Sequence, residues 1–294
     1  MKFFEKRPMA MIALGVIGIS LSSIFVKYSA APAAVTAAWR LLWTVALMSP
    51  VVWGSGTVRR ELLGVKGTVA FLSALSGVFL AIHFVLWFES LNQTSVASST
   101  TIVCTEVIWV CLGYRLFLGG RIPGRAALAI AVTLAGSVLI AFADSGSRGH
   151  LWGDVLALLA AVAVAGYTLI GRVVRAKAST SVYTYLVYTV CALALVLTCV
   201  FQGLGLTAYG SSPIFVGLAL AVFSTILGHS IFSWCLKYFS PAFVSASKLC
   251  EPVVAAVLAG FLFGELPGAV QILGGILILG GVLWYSRIEQ KVRV

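Results

Sequence analysis

The chain has 294 residues, 61% of them hydrophobic and 10% charged, with a formal net charge of +11 and a mean hydropathy of +1.06. A soluble domain keeps about a quarter of its residues charged to cover its surface, so a soluble enzyme or a nucleic-acid-binding domain is excluded and a polytopic membrane protein remains. A helix crosses the hydrocarbon core with about 20 apolar residues, so roughly ten spans with short connections use the whole length.

The apolar runs are continuous and lack the period-two alternation of barrel strands, so the chain reads as an all-α integral membrane protein. In chain order, transmembrane helices are expected near 9–27, 33–53, 67–89, 95–117 and 124–142, then near 152–172, 180–202, 213–236, 242–263 and 268–286. Alternating the loops places sixteen basic residues, among them Arg59, Arg115, Arg121, Arg172 and Lys237, on one side, and only Lys27 and Arg148 on the other. That bias assigns both termini to the cytoplasm. The basic start from Lys2 to Arg7, with the small residues Ser29-Ala30-Ala31-Pro32 further on, has the outline of a cleavable signal. The first span is nonetheless expected to be retained, because its removal would destroy the symmetry that follows.

Phe117-Leu118-Gly119-Gly120-Arg121-Ile122-Pro123 resembles Phe261-Leu262-Phe263-Gly264-Glu265-Leu266-Pro267, an offset of 144 residues. His83 and His229 lie 146 apart in the third spans, Glu106 and Glu251 145 apart in the fourth, and Gly136 and Gly280 144 apart in the fifth. These markers divide the chain into a first five-helix repeat, 1–147, and a second, 148–294. An odd number of spans per repeat inverts the second against the first. Ten transmembrane helices in two inverted five-helix repeats is the arrangement by which secondary transporters open a central site alternately to either side.

Leu249-Cys250-Glu251-Pro252-Val253, followed by Phe261-Leu262-Phe263-Gly264-Glu265, resembles the fourth-span signature of the second half in EamA-type members of the drug/metabolite transporter superfamily. The resemblance covers nearly the whole chain and includes the arginine early in the second span, in Trp39-Arg40. The first half departs from it: Thr105-Glu106-Val107 lacks the usual proline, and Gly120-Arg121 replaces the Gly-Glu ending. Within the family the chain is most similar to bacterial exporters of aromatic and other amino acids, which implies a location in the bacterial inner membrane. The resemblance also implies a structural role for Glu251-Pro252 that is common to many substrates.

Of nine carboxylates, only Glu106 and Glu251 lie near mid-membrane, where an ionisable group faces the bundle interior or a cavity and is paired or wet. Lys248 and Glu251 are three residues apart, so on an unbroken helix they share one face. Pro252 frees the Lys248 carbonyl and marks a hinge. Either Lys248 meets a substrate carboxylate while Glu251 orients it or meets an ammonium group, or the two form a structural ion pair that secures the kink. Glu106 has no basic residue within a helical turn, so its partner must come from another span, with Arg40 the candidate. Without a partner it would carry a proton, which makes it the coupling candidate; hydrogen bonding to Ser or Thr neighbours is the competing expectation. Arg40 itself is expected to stack on Trp39 and bridge helices.

His83 and His229 are either titrating groups or hydrogen-bonded packing residues. Trp87, Trp109, Tyr167 and Trp234 are set deep enough to line an amphipathic pocket, although helix packing explains them as well. Trp53, Trp152, Trp284 and Tyr285 fit interface anchors. The six cysteines lie within spans without CxxC spacing, so no disulfide, metal or other cofactor is expected. HExxH, Walker A and Gly-x-Ser-x-Gly motifs are missing from the sequence, and with them the required parts of hydrolases and ATP-driven pumps. The glycines of the last span, Gly274-Gly275 and Gly280-Gly281, are expected to permit close helix contacts, including a homodimer interface. The reading is a secondary exporter of a small zwitterionic or amphipathic metabolite, an amino acid foremost, with membrane lipids as its surroundings and proton coupling through Glu106. The alternatives are a broad exporter of cationic or apolar drugs and a non-transporting channel or receptor.

Overall fold

The computed structural model describes residues 7–94, 96–144, 151–254, 257–258 and 268–293, and every regular element among them is helical. The first half runs through α1 (Pro8–Ser20), α2 (Ser22–Val26), α3 (Ala33–Gly54), α4 (Gly56–Leu63), α5 (Gly67–Gln93), α6 (Val96–Cys104), α7 (Glu106–Leu118) and α8 (Gly124–Asp144). The second half follows with α9 (Leu151–Arg175), α10 (Thr180–Phe201), α11 (Ser212–Ala219), a wider i→i+5 stretch over Leu220–His229, α12 (Ser230–Cys235), α13 (Pro241–Lys248) and α14 (Ala269–Arg293).

Among the described residues, eight stretches are long and apolar enough to cross a membrane, and a shorter apolar helix covers Gly124–Ile140. Their bounds follow the expected spans to within a few residues. The expected ninth span, 242–263, is seen as α13 and a helical turn at 251–254. Residues 255–256 and 259–267, including the Phe261–Pro267 marker, lie outside the described residues, as do Lys2, Lys6 and Arg148 of the charge pattern. The short α4 between the second and third spans was not expected; it carries Arg59, Arg60 and Glu61 and buries no residue.

Local chemistry sets the helix ends. Pro8, Pro213 and Pro241 stand in first turns, where a missing N–H costs nothing. Ser179 and Ser240 cap α10 and α13 by accepting from the Val182 and Phe243 amides. Gly119, at φ 62°, takes the left-handed turn that ends α7.

The packing pattern is that of two interlocked halves. The second span (α3) packs on the seventh (α10), and the fifth (α8) on the tenth (α14), each helix against its own counterpart. The contact of the third span (α5) with the sixth (α9) is matched by that of the eighth (from α11 to α12) with the first (α1 and α2). Exchanging the halves therefore maps the helix contacts onto themselves, as an inverted repeat requires.

Glycines bring the fifth and tenth spans together. A Cβ on Gly136 would stand 2.6 Å from the Gly274 carbonyl oxygen, and one on Gly274 would stand 2.7 Å from that of Gly136. Gly281 is as tight, 2.9 Å from the Ala129 carbonyl oxygen, whereas a Cβ on Gly280 meets nothing within 4 Å. Gly274 and Gly281 thus make the expected close helix contacts, within one chain. Tyr285 is likewise no interface anchor: it is buried, with its ring 5.3 Å from that of Phe243. Exposed large side chains, among them Phe71, Leu116, Phe201 and Phe215, cover the outside, as contact with lipid demands.

Candidate functional site

Both fourth spans are broken beside their carboxylates. In the first half α6 ends at Cys104 and α7 begins at Glu106, with the Thr105 amide and hydroxyl both donating to the Ile102 carbonyl, at 3.0 and 2.6 Å. In the second half α13 ends at Lys248, and tight i→i−3 bonds at Leu249 and Cys250 precede the turn beginning at Glu251. Pro252 accounts for the second break, since it supplies no N–H to the Lys248 carbonyl. Thr105 achieves the first without a proline, by turning its own hydroxyl onto the backbone. Discontinuous helices at mid-membrane carry unsatisfied backbone groups and are the usual framework of transporter binding sites.

The breaks decide which charges meet. Lys248 Nζ donates to Glu106 Oε1 at 2.8 Å, with both side chains at most 10% exposed. The pair joins the two halves across their fourth spans. This corrects two expectations: Lys248 pairs with Glu106 rather than Glu251, and Glu106 finds its partner in another span, but in Lys248 rather than Arg40. The reason is geometric. The i, i+3 relation of Lys248 and Glu251 presumes a continuous helix, and Leu249–Cys250 interrupts it. Glu106 thereby fails the condition set for a proton carrier, which was the lack of a partner.

Arg40 is fully buried in α3. Its Nε donates to Thr225 Oγ1 at 2.7 Å and its Nη1 to Ser22 Oγ at 3.2 Å. Thr225 belongs to the wide stretch of the eighth span, where its hydroxyl reaches the Leu220 carbonyl five residues back at 3.2 Å. The guanidinium stacks 4.2 Å over Phe84. Trp39, the expected stacking partner, turns away and donates its indole N–H to the Leu206 carbonyl at 2.9 Å. Arg40 does bridge helices, as expected, yet Nη2 has no hydrogen-bond partner. Among the described residues no carboxylate lies within ion-pair distance of it. Glu251 is in the complementary position: 8% exposed, with Oε1 unpartnered.

The two histidines approach with ring centroids 6.5 Å apart. His83 Nδ1 lies 3.0 Å from the Ala160 carbonyl, and since a carbonyl only accepts, that nitrogen carries the proton. His229 Nδ1 is buried without a partner. Trp87 stacks on His83, centroids 5.9 Å apart and planes 13° from parallel.

Arg40, His83, Trp87, Glu106, His229, Lys248 and Glu251 line one central cavity, together with Ile19, Ser22, Val103, Cys104 and Val164. Its free space is about 40 Å³, enough for a few waters and far below the roughly 300 Å³ at which ligand pockets begin. Tyr167 sits behind the lining, its ring 6.0 Å from that of His229 and its hydroxyl 2.8 Å from Ser233 Oγ. Trp109, Trp234 and Pro252 do not line the cavity. The Trp109 indole N–H is buried unpartnered, the Trp234 ring packs on Tyr238 at 4.4 Å, and Pro252 acts through the helix break.

Polar contacts join the helices toward each end of the bundle. At the basic end, Tyr183 and Ser76 share a hydrogen bond of 2.7 Å, Tyr188 and Ser230 one of 3.0 Å, and Arg175 Nε donates to the Ser233 carbonyl at 3.1 Å. Arg172 adds bonds to the Leu236 and Phe239 carbonyls. At the opposite end, Trp43 donates to the Ile214 carbonyl at 3.1 Å and Ser212 to that of Tyr28 at 2.7 Å. Sequence reasoning missed these contacts, as well as Ser22, Phe84 and Thr225 around Arg40. A serine or threonine inside an apolar run signals an internal hydrogen bond, but not its partner.

The family model of the EamA-like transporters matches the chain twice, over residues 6–142 and 151–287. The chain is 26% identical over 217 residues to the pseudopaline exporter CntI of Pseudomonas aeruginosa, covering 73% of this chain and 74% of that one. It is 27% identical over 267 residues to the uncharacterized transporter YwfM of Bacillus subtilis, covering 86% and 84%. A crystal structure shares its fold with a TM-score of 0.76 at 17% identity, covering 98% of this chain and 99% of the other. With two family matches arranged as interlocked halves around a charged centre, the chain belongs to the EamA-like transporter family and is a multi-pass membrane protein.

Proposed function

We propose that this protein is a secondary transporter that exports small metabolites, foremost amino acids with aromatic or other apolar side chains. It works from a bacterial inner membrane with both termini cytoplasmic. The observation that carries this reading is the central cavity, lined by four charges at the junction of two inverted halves. Arg40 and Lys248 stand against Glu106 and Glu251, so the lining is formally neutral. A net-neutral cargo suits it better than the cation of a broad drug exporter. Ile19, Val103, Val164 and Trp87 supply apolar wall for a side chain.

The cavity is too small for an amino acid as it stands, so loading requires helices to part at one end of the bundle while the other end stays closed. The bonds at Tyr183–Ser76 and Trp43–Ile214 are the contacts that such a cycle exchanges. The exporter in the name of the Pseudomonas relative supports the direction of transport. The basic loops support the orientation, because positive residues stay cytoplasmic.

Uptake of labelled phenylalanine, leucine and threonine into proteoliposomes, with and without an imposed pH gradient, tests the reading. Saturable flux of at least one is expected, and no flux of any amino acid would sink the substrate claim. The gradient arm reads proton coupling, for which Glu251, with a free oxygen, replaces ion-paired Glu106 as the group able to exchange a proton. Planar-bilayer recording separates a channel, which would conduct far faster than alternating access permits.

A further inference from the structure

The two halves are not equivalent at their centre, and the difference points to what the cavity holds. Glu106 and Glu251 are counterparts at an offset of 145 residues, and the same offset carries Lys248 onto Val103. Lys248 lies three residues before Glu251 and Val103 three before Glu106, each pair straddling its helix break. The exchange of halves that maps Glu106 onto Glu251 therefore maps the ion pair of Lys248 with Glu106 onto a pair of residue 103 with Glu251. Residue 103 is valine, so the second pair lacks its cation. Glu251 accordingly has an unpartnered oxygen, and both Val103 and Glu251 line the cavity.

A buried carboxylate in the middle of a membrane protein is costly unless something positive or hydrogen-bonded faces it. In one half the chain supplies that group as the Lys248 ammonium, 2.8 Å from its carboxylate. In the other half it supplies a valine and leaves one oxygen of the cavity-lining Glu251 buried without a partner. We propose that Glu251, for which repeat symmetry makes Val103 the counterpart of the paired lysine, is the subsite for a primary ammonium group of the cargo, which occupies the place that symmetry gives to a lysine. The free Nη2 of Arg40, a buried donor on the same cavity, then receives an acidic group of the same molecule. Lys248 is excluded from that task because Glu106 already holds it. The cargo class is thus a zwitterion with a primary amine and a carboxylate, read by Glu251 and Arg40 respectively. This rests on the transport reading above but names the groups that select the substrate.

The test binds three probes to the purified full-length protein, read by tryptophan fluorescence and by thermal shift: phenylalanine, phenethylamine, which lacks the carboxylate, and 3-phenylpropionate, which lacks the ammonium. Wild type is expected to bind both amines. Val103→Lys places a lysine at the position that symmetry pairs with Glu251 and should weaken both amines by roughly tenfold or more, the loss of one charge-assisted contact. It should leave melting temperature unchanged or raised, a combination that a damaged fold would not give. Glu251→Gln should weaken both amines to a similar degree without weakening 3-phenylpropionate, and it carries the test alone if Val103→Lys fails to assemble. Amine binding unchanged in either folded variant, or a wild type that binds neither amine, overturns the proposal. Phenylalanine exchanged equally well by wild type and Val103→Lys removes the subsite and leaves the transporter standing. Amine binding that both variants lose, in a protein that moves no amino acid, removes the amino-acid reading and leaves the subsite.

Discussion

Lys248 Nζ lies 2.8 Å from Glu106 Oε1, and this contact ties the fourth span of one half to the fourth span of the other. Removing one partner leaves the other as an uncompensated buried charge, with a loss of about 3–5 kcal/mol, whereas removing both is far milder. Glu106→Gln and Lys248→Met should each lower the melting temperature of the detergent-purified protein by many degrees. The double variant should recover more than half of that loss. Additive losses would show that the pair is not an interacting unit.

The presence of these charges at the centre was legible in the sequence; their pairing was not. Hydropathy located the spans because every crossing must be long and apolar, and it isolated Arg40, Glu106, Lys248 and Glu251 because charges are rare at that depth. The pairing is hidden because the sequence alone puts Lys248 and Glu251 on one continuous helix, while the chain breaks between them at Leu249–Cys250. The sequence gives only the depth of Trp109 and Trp234, and depth does not say which face of a helix meets the centre. The wide stretch over Leu220–His229, which brings Thr225 to Arg40, has no mark in the residue pattern. The departure at Thr105 was visible as a missing proline, yet the structure breaks the helix there without one.

The fifth and tenth spans are fastened at Gly136 and Gly274, where a Cβ on either would stand within 2.7 Å of the other's carbonyl oxygen. Gly274→Leu should destabilise the protein by about 1–3 kcal/mol through overpacking. Gly280→Leu meets nothing within 4 Å in the chain and should stay within about 0.5 kcal/mol. Melting of the two variants side by side checks this. A destabilised Gly280→Leu with an intact Gly274→Leu would point instead to a contact between subunits.

At the basic end hydroxyls and guanidinium groups join the helices in addition to apolar packing. Tyr183→Phe removes the 2.7 Å bond to Ser76, and Arg175→Gln removes the bond to the Ser233 carbonyl, each worth about 1 kcal/mol or more. Both should ease opening at this end. Cys235, fully buried beside these bonds, should then be alkylated by maleimide roughly fivefold faster or more, since about 1 kcal/mol is a factor of that order. Mass spectrometry locates the modified cysteine, and an unchanged rate would remove these bonds from the gate.

Arg40 is held by Thr225, Ser22 and the face of Phe84, a geometry that a planar, multi-donor group satisfies and an ammonium does not. Arg40→Lys should therefore behave as a loss rather than a conservative change, weakening 3-phenylpropionate and phenylalanine by roughly tenfold. Thr225→Val, which removes one partner without removing the charge, should have a smaller effect of the same sign. Binding titrations on both variants check the order, and equal affinity in wild type and Arg40→Lys would contradict it.

The central claim is that one mid-membrane site is exposed alternately to either side. Trans-stimulation in proteoliposomes tests it most directly: entry of labelled phenylalanine is measured with and without unlabelled phenylalanine inside. Alternating access predicts that internal cargo accelerates entry several-fold, and that Glu251→Gln, with its ammonium contact gone, loses this acceleration. Entry that proceeds at the same rate whatever the internal concentration, rising linearly with external phenylalanine without saturation, would contradict the account.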